Sequence, residues 1–191
     1  MRFEDVFQTG DQRRDNYRSR LFGMFSEDIA RIWAQNPRAP YLYLGRPTIF
    51  EGAAYATVDF LFQAPDGRRF VAEQKSELAW MGYAYLRLVD AGQVDHHRGK
   101  PAFDWFLEAA RDPGKRLVRV AGKPVAVDGA ILVWGAVDPA GRDAAMQACG
   151  FHDVLSVEEM LDDLRVWRDP AWAARLDELD AWSSGLLEAL R

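Results

Sequence analysis

The chain has 191 residues and a mass of 21.7 kDa, a length that suits one domain burying roughly 70% of its unfolded surface. Apolar residues make up 49% and charged residues 28%, which excludes a disordered or collagen-like chain because enough apolar area is present to offset backbone ordering. The formal net charge of −5 counts against a protein that coats DNA, so any nucleic-acid contact must come from a local basic patch.

The sequence also indicates the cellular compartment and the number of domains. No apolar run approaches the ~18 residues needed to cross a bilayer, and the first residues do not resemble a secretory signal. The single cysteine, Cys149, cannot form an intramolecular disulfide or a thiolate metal site alone. We therefore expect a soluble, cytoplasmic protein without a membrane partner, folded as a single domain over residues 1–191.

The first half of the chain predicts one helix followed by short strands. Apolar residues at helical spacing predict a helix over residues 11–35, which ends before Asn36-Pro37 because proline disfavours helix in the preceding residue. Strands are predicted over residues 41–44, 56–62 and 69–75.

The second half predicts alternating helices and strands. Helical spacing returns over residues 80–91 and 101–111, and a second hairpin follows, with strands over residues 117–120 and 125–134. The remaining predicted elements are a helix over 139–149, a strand at 154–155, a helix over 156–164 with Ser156 and Glu159 as its capping box, and an acidic helix over 169–190.

The turn of the first hairpin sets a register for the two strands beside it. Residues 65–67 read Pro-Asp-Gly, which suits a three-residue loop with glycine in the left-handed position of a bulge. Ala64 then pairs with Arg68.

This register brings charged side chains together on one face of the hairpin. Counting outward places Asp59 opposite Glu73 and Thr57 opposite Lys75, with directly opposed Cβ atoms about 5 Å apart. Side chains alternate along a strand, so Gln74 points to the other face. Apolar residues flank both faces, with Leu61 and Val71 on the charged side and Val58, Phe60, Phe62, Phe70 and Ala72 on the other.

Two interpretations of this charged cluster are open. Opposed carboxylates in a partly desolvated sheet repel each other unless a cation lies between them, and a divalent metal would meet that need. The alternative is a solvated ion pair between Asp59, Glu73 and Lys75 that adds little stability. The metal site is favoured by the third charge on the face, by the apolar neighbours and by a preceding helix that can bring Glu27 or Asp28 to the site.

On these residues the sequence resembles the PD-(D/E)XK nuclease superfamily, which has the restriction-endonuclease-like fold. Asp59 and the run Glu73-Gln74-Lys75 carry the resemblance, on consecutive strands after a helix. The order of predicted elements is similar to the family's α-β-β-β-α-β core over about residues 14–165, with the helix over about 169–190 as an extension. Val58 stands where the family has proline, and the predicted helices between residues 80 and 111 have no counterpart in the minimal core.

The resemblance implies an α/β fold with a mixed sheet flanked by helices, and a metal-dependent nuclease acting on DNA or, as the second choice, RNA. Asp59, Glu73 and the main-chain carbonyl of Gln74 would bind Mg²⁺, or alternatively Mn²⁺. Lys75 would orient the attacking water and stabilise charge on the phosphate, and Glu27 would be the carboxylate from the first helix.

Two rival hypotheses remain beside the nuclease. One is a catalytically inactive nucleic-acid- or protein-binding module of the same fold. The other is an interaction protein in which the hairpin charges form a structural salt bridge. Its oligomer interface would then be the apolar stripe of the last helix, which fits either a homodimer or packing on its own domain.

Residues outside the hairpin add weaker signals. His96 and His97 are expected at the surface, and Trp33, Trp105 and Trp134 in the core, whereas Trp80 and Tyr83 are candidates for base stacking. Two basic groups suit either phosphate contacts or solvated faces: Arg13, Arg14, Arg18 and Arg20 in the first helix, and Lys115, Arg116, Arg119 and Lys123 near the second hairpin.

Overall fold

The computed structural model describes residues 11–76 and 86–191. The helices in these ranges are α1 (Gln12–Trp33), α2 (Gly92–Asp95), α3 (Pro101–Arg111), α4 (Pro139–Cys149), α5 (Val157–Trp167) and α6 (Pro170–Ala189). The strands are β1 (Leu42–Gly45), β2 (Pro47–Glu51), β3 (Ala54–Thr57), β4 (Phe60–Gln63), β5 (Arg69–Lys75), β6 (Arg87–Leu88), β7 (Leu117–Val120), β8 (Lys123–Val125), β9 (Gly129–Trp134), β10 (Ala136–Val137) and β11 (Asp153–Ser156).

A mixed five-stranded sheet in the order β1-β4-β5-β9-β11 forms the centre of the fold. Strands β1, β4 and β5 pair antiparallel, whereas β5, β9 and β11 pair parallel. A parallel pair needs a long connection, and the connections after β5 and β9 contain helices α3 and α4. The predicted mixed α/β class is confirmed.

Two further strand groups surround this sheet. A four-stranded antiparallel sheet has the order β3-β2-β7-β8, and β6 pairs with β10 in a short parallel ladder. We call the five-stranded sheet the central sheet and the four-stranded sheet the second sheet.

The core lies in two layers on opposite faces of the central sheet. One layer joins α1 and α5 to the sheet through residues such as Phe22, Phe62 and Leu164. The other layer joins the second sheet, α3 and α4 to the sheet through residues such as Ile49 and Phe106. The central strands are covered on both faces, which explains why all six residues of β9 are apolar or glycine and buried.

Local signals fix the ends of the later helices. Ser156 Oγ accepts a hydrogen bond from Glu159 N (3.4 Å), so the predicted N-terminal cap of α5 is confirmed. Asp169 caps α6 by accepting from Trp172 N at 2.9 Å. Helix α4 begins with Pro139 and ends at Gly150, whose φ of 80° is left-handed.

The predicted hairpin register is confirmed within the central sheet. Ala64 N donates to Arg68 O at 2.9 Å, and Phe60 pairs with Ala72 at the other end of the β4–β5 ladder. The predicted strand over residues 69–75 is β5 itself.

Three predicted elements are wrong in extent. Residues 56–62 form two strands in different sheets, because Val58 N donates to Pro47 O and the chain bends out of the central sheet there. Thr57 consequently pairs with Thr48 and not with Lys75.

The other two errors lie after the first hairpin. Residues 125–134 belong to β8 and β9 with a break between them, since β8 belongs to the second sheet and β9 to the central sheet. Of the helix predicted over residues 80–91, residues 80–85 lie outside the described residues, and the part that follows contains strand β6, which pairs with β10.

A glycine in α4 allows close packing against the β6 end and gives a direct test of the fold. A Cβ on Gly141 would lie against the Leu88 main-chain carbonyl, with the carbonyl carbon at 2.7 Å. We expect Gly141→Ala to lower the free energy of unfolding by about 1–3 kcal/mol through overpacking, measured by urea denaturation. Gly185→Ala in α6 is the matched control because nothing lies within 4 Å of that position, and it should not destabilise the protein. Equal stability of the two variants would contradict this packing.

Candidate functional site

The charged residues of the hairpin lie where β5 ends and β4 begins. Lys75 Nζ donates to Glu73 Oε1 at 2.6 Å, and Asp59 Oδ2 accepts from the main-chain N–H of Gln74 at 2.8 Å. Asp59, Glu73 and Lys75 have 15%, 9% and 18% of their side-chain surface exposed. The structure therefore brings the three residues together in a mostly buried position at the carboxyl end of β5.

The bend at Val58 explains how Asp59 reaches this place. In an antiparallel ladder, every second pair of opposed residues exchanges main-chain hydrogen bonds. Ala64 and Arg68 form such a pair, so residues 60 and 72 form another, and the next would be Val58 with Gln74. Val58 leaves the central sheet, so the main-chain N–H of Gln74 loses that acceptor. The carboxylate of Asp59 takes its place.

The same bend changes the face on which Val58 lies. The sequence places Val58 with Phe60 and Phe62, but its side chain packs in the core layer that contains Leu61 and Val71. The alternation of faces fails because residues 57 and 60 belong to different sheets.

The surroundings of Glu73 disfavour its ionised form. Burial raises its pKa, and the Asp59 carboxylate raises it further, whereas Lys75 and the main-chain N–H of Asp59 lower it. Its second oxygen, Oε2, is buried and accepts no hydrogen bond from any residue within 11–76 and 86–191. A buried carboxylate oxygen without a donor is costly, and a bound cation would satisfy it.

Aromatic residues form the wall beside Lys75. Its ammonium lies 5.4 Å from the centre of the Phe103 ring, and the ring of His97 packs against Phe103 and Trp134. The expectation that His97 lies at the surface is wrong, since only 1% of it is exposed. Burial, with the positive charge of Lys75 as the second cause, lowers the pKa of His97 to about 3, so the imidazole is neutral at pH 7. His96 is exposed, as expected.

Gln74 connects β5 to helix α1 on the opposite face of the sheet. Its side-chain amide lies 2.7 Å from Ser26 Oγ. In the amide orientation that gives both its oxygen and its nitrogen a partner, the oxygen accepts a hydrogen bond from the main-chain N–H of Glu27 at 3.2 Å. This contact fixes the turn of α1 that carries Glu27 next to the end of β5.

Glu27 and Asp28 have different surroundings. Partial burial raises the pKa of Glu27, and the next cause is the Asp59 carboxylate, which places Glu27 in the same electrostatic environment. Asp28 instead forms ion pairs with Arg31 at 2.6 Å and with Arg175 of α6 at 2.7 Å. Of the two candidates, Glu27 is therefore the one whose pKa responds to the Asp59 carboxylate.

Sequence reasoning missed one cation, Arg46. Its guanidinium donates a hydrogen bond to Asp59 Oδ1 at 3.1 Å. The positive charge of Arg46 also lowers the pKa of Glu27, against the larger effects of burial and of Asp59. Arg46 follows Gly45, whose φ is +122°, in the bend between β1 and β2. No local pattern relates this bend to Asp59, because the two are brought together by the crossing of the chain between sheets.

The set of donors fits a divalent cation in part. Within residues 11–76 and 86–191, no three His, Cys, Asp or Glu side chains are grouped closely enough to hold a metal ion by themselves. Asp59 and Glu73 offer carboxylate oxygens, and Glu73 Oε2 is an acceptor in need of a partner. Mg²⁺ is commonly held by one or two carboxylates, with waters and substrate phosphate completing its shell.

Some residues predicted to contact nucleic acid are not among the described residues. Trp80 and Tyr83, the two candidates for base stacking, and the side chains of Arg13 and Arg14 are outside the described residues. Of the tryptophans expected in the core, Trp33 and Trp134 are buried, whereas Trp105 is half-buried beneath the guanidinium of Arg116.

Comparison with known proteins finds no family model, no curated protein and no solved structure that matches this chain. In the two described ranges, no helix has both the length and the apolar composition needed to cross a membrane.

The proximity of Asp59 and Glu73 predicts a measurable coupling between their titrations. Because the Asp59 charge helps to raise the pKa of Glu73, Asp59→Asn should move the titration midpoint of Glu73 to lower pH. Carboxyl-carbon NMR of the full chain measures this midpoint. The control is Asp66→Asn in the exposed hairpin turn, which should leave Glu73 unchanged. An unaltered Glu73 midpoint in Asp59→Asn would show that the two carboxylates do not share a site.

Proposed function

We propose that the protein is a metal-dependent nuclease with a restriction-endonuclease-like core. One observation carries the proposal. Asp59, Glu73 and Lys75 converge at the end of β5, and an oxygen of Glu73 there is buried without a hydrogen-bond donor among the described residues. Two carboxylates can hold a divalent ion, and an ammonium beside them can stabilise charge on a phosphate, so this set of groups suits hydrolysis of a phosphodiester.

The topology of the central sheet supports this proposal. Helix α1, strands β1, β4 and β5, helix α3 and strand β9 occur along the chain in an α-β-β-β-α-β order, with the other strands and the short helix α2 between them. The first three of these strands are antiparallel and the fourth is parallel to the third. This is the element order that the resemblance to the PD-(D/E)XK superfamily implies. The second sheet lies outside that minimal core.

Each residue has a physical role in the proposed reaction. Asp59 and Glu73, with the main-chain carbonyl of Gln74, would hold a Mg²⁺ or Mn²⁺ ion, and a bound ion would neutralise the phosphate and lower the pKa of a water. Lys75 is held by Glu73 and by the Phe103 ring, so its ammonium is oriented before substrate arrives. It donates hydrogen bonds to the attacking water and to the phosphate oxygens as negative charge develops.

Glu27 and Arg46 complete the charge balance of the site. Glu27 is exposed, and its carboxylate would accept a hydrogen bond from a water that approaches the phosphate. Arg46 pairs with Asp59, and because 57% of its side chain is exposed it would be able to turn toward a phosphate. DNA is the preferred substrate of this proposal, and RNA is the second choice.

Substitutions at the hairpin test the proposed chemistry. Asp59→Ala and Lys75→Ala should each lower Mg²⁺-dependent cleavage of DNA by about a hundredfold or more, because each removes a preorganised charge from the reacting phosphate. Plasmid, single-stranded DNA and RNA are incubated with the full chain, and the products are resolved on gels. The matched controls are Asp162→Ala and Arg165→Ala, an exposed ion pair on α5, which should cleave as the parent does. Full activity in Asp59→Ala or Lys75→Ala would exclude the mechanism.

A second candidate function has an observation in its favour. Both carboxylates already have a cationic partner in the chain, Asp59 with Arg46 and Glu73 with Lys75, and no third carboxylate or histidine joins them closely in the described ranges. This arrangement suits a module of the same fold that binds nucleic acid or protein without turnover, or an interaction protein with structural salt bridges.

Calorimetry with Mg²⁺ and Mn²⁺ separates the candidates. The nuclease should bind metal, and Glu73→Ala should abolish the binding heat, whereas Glu178→Ala on the exposed part of α6 should retain it. Binding should also weaken as the pH falls through the raised pKa of Glu73, because a protonated carboxyl is a poor metal ligand. Metal binding without cleavage would favour the inactive module, and absence of binding at any accessible concentration would favour the interaction protein.

A further inference from the structure

The second sheet turns one face toward the core and the other toward solvent. Ile49, Ala56 and Val118 are buried on the inner face. The residues that alternate with them lie on the opposite side, half-buried or exposed. We call this side the outer face and define it by Thr48, Phe50, Tyr55, Thr57, Leu117 and Arg119.

The outer face contains a row of apolar and aromatic side chains across three strands. Phe50 pairs with Tyr55 on one side and with Leu117 on the other. The Phe50 and Tyr55 rings are 6.1 Å apart, and 68% of Tyr55 is exposed. Phe50, Tyr55 and Leu117 are neighbours across three strands, and a contiguous exposed apolar patch of this kind is typical of an interaction site.

A polar row lies beside the aromatic one. Thr57, Thr48 and Arg119 pair in sequence across the same three strands, and the two threonine hydroxyls are 3.4 Å apart. The guanidinium of Arg119 lies 5.2 Å from the centre of the Phe50 ring. None of the six outer-face residues is acidic, although the chain contains 29 Asp and Glu residues. Arg119 is the one charged residue among these six, so the defined outer face carries a single positive charge, whereas the chain has a net charge of −5.

The polar row is close in sequence to the candidate site. Thr57 precedes Asp59 by two residues, which limits their Cα separation to about 7 Å. Thr48 follows Arg46 by two residues in the neighbouring strand. Both strands that carry the threonines thus join the outer face directly to residues of the site.

We propose that the outer face binds single-stranded nucleic acid and guides it to the candidate site. Bases stack on Tyr55 and Phe50, and Arg119 with the two threonines contacts the phosphates. Exposed rings favour a single strand because the bases of a duplex are already stacked on one another. The guiding role rests on the proposed nuclease function, whereas binding at the outer face does not require cleavage.

Fluorescence anisotropy of the full chain in EDTA tests the binding. The probes are labelled oligothymidylate, oligouridylate and a DNA duplex of equal length. Tyr55→Thr removes the ring but keeps a strand-forming side chain, and it should raise the single-strand Kd about tenfold, within the stacking energy of about 1–3 kcal/mol per base. Tyr55→Phe keeps the ring and should bind within about twofold of the parent.

Arg119 provides a second, independent measurement. Arg119→Gln should weaken binding and reduce the slope of log Kd against log salt by about one, as expected for the loss of one phosphate contact. Trp182→Ala is the matched control, since Trp182 is an exposed aromatic residue on α6, away from the second sheet, and the variant should bind like the parent. The two oligonucleotides distinguish DNA from RNA as the preferred strand.

The outcomes separate this proposal from the nuclease function. Parent-like binding by both Tyr55→Thr and Arg119→Gln overturns the outer-face proposal, even if the protein cleaves DNA. Duplex binding as tight as single-strand binding overturns it as well, and so does a dimer in light scattering that Tyr55→Thr dissociates. Tyr55-dependent single-strand binding without metal-dependent cleavage supports the outer face and counts against the nuclease.

Discussion

The hydrogen bond from the main-chain N–H of Gln74 to the Asp59 carboxylate is the interaction on which the site depends. It replaces a ladder hydrogen bond that the central sheet loses when the chain bends away at Val58. The same bend takes the chain from β3 of the second sheet into β4 of the central sheet, holds an acidic side chain at the end of β5 and brings Arg46 to it. An unsatisfied main-chain N–H within a sheet is costly, so the bend and the position of the carboxylate stabilise each other.

The electrostatics of the hairpin are difficult to explain by stability alone. Burying charges costs several kcal/mol per ion even after relaxation, and apolar replacements of a buried ion pair are often neutral or stabilising. Glu73 is buried beside a like charge, and one of its oxygens accepts no hydrogen bond within the described ranges. A binding site for a cation gives this arrangement a reason, because the cation would remove both the repulsion and the unsatisfied oxygen.

Consecutive residues of strand β5 make contacts on both faces of the central sheet, and these contacts connect the site to helix α1. Glu73 and Lys75 face the candidate site, whereas Gln74 between them contacts Ser26 and the main chain of Glu27. The alternation of a strand thus lets three consecutive residues hold the charged groups and set the position of the helix that carries another carboxylate. Arg175 of α6 pairs with Asp28 on the same helix, so neighbouring acidic residues of α1 have separate partners.

The sequence by itself determined the local features of this protein. Apolar periodicity with proline and glycine signals predicted α1, α3 and α4 closely, and the Pro-Asp-Gly turn set the register of β4 and β5, because these depend on interactions between residues near in sequence. The grouping of Asp59 with Glu73 followed from that register. Only the tertiary structure decided which sheet each strand joins, the burial of His97 and the contact of Arg46 with Asp59. These depend on pairing between distant segments, which the local pattern of residues does not encode.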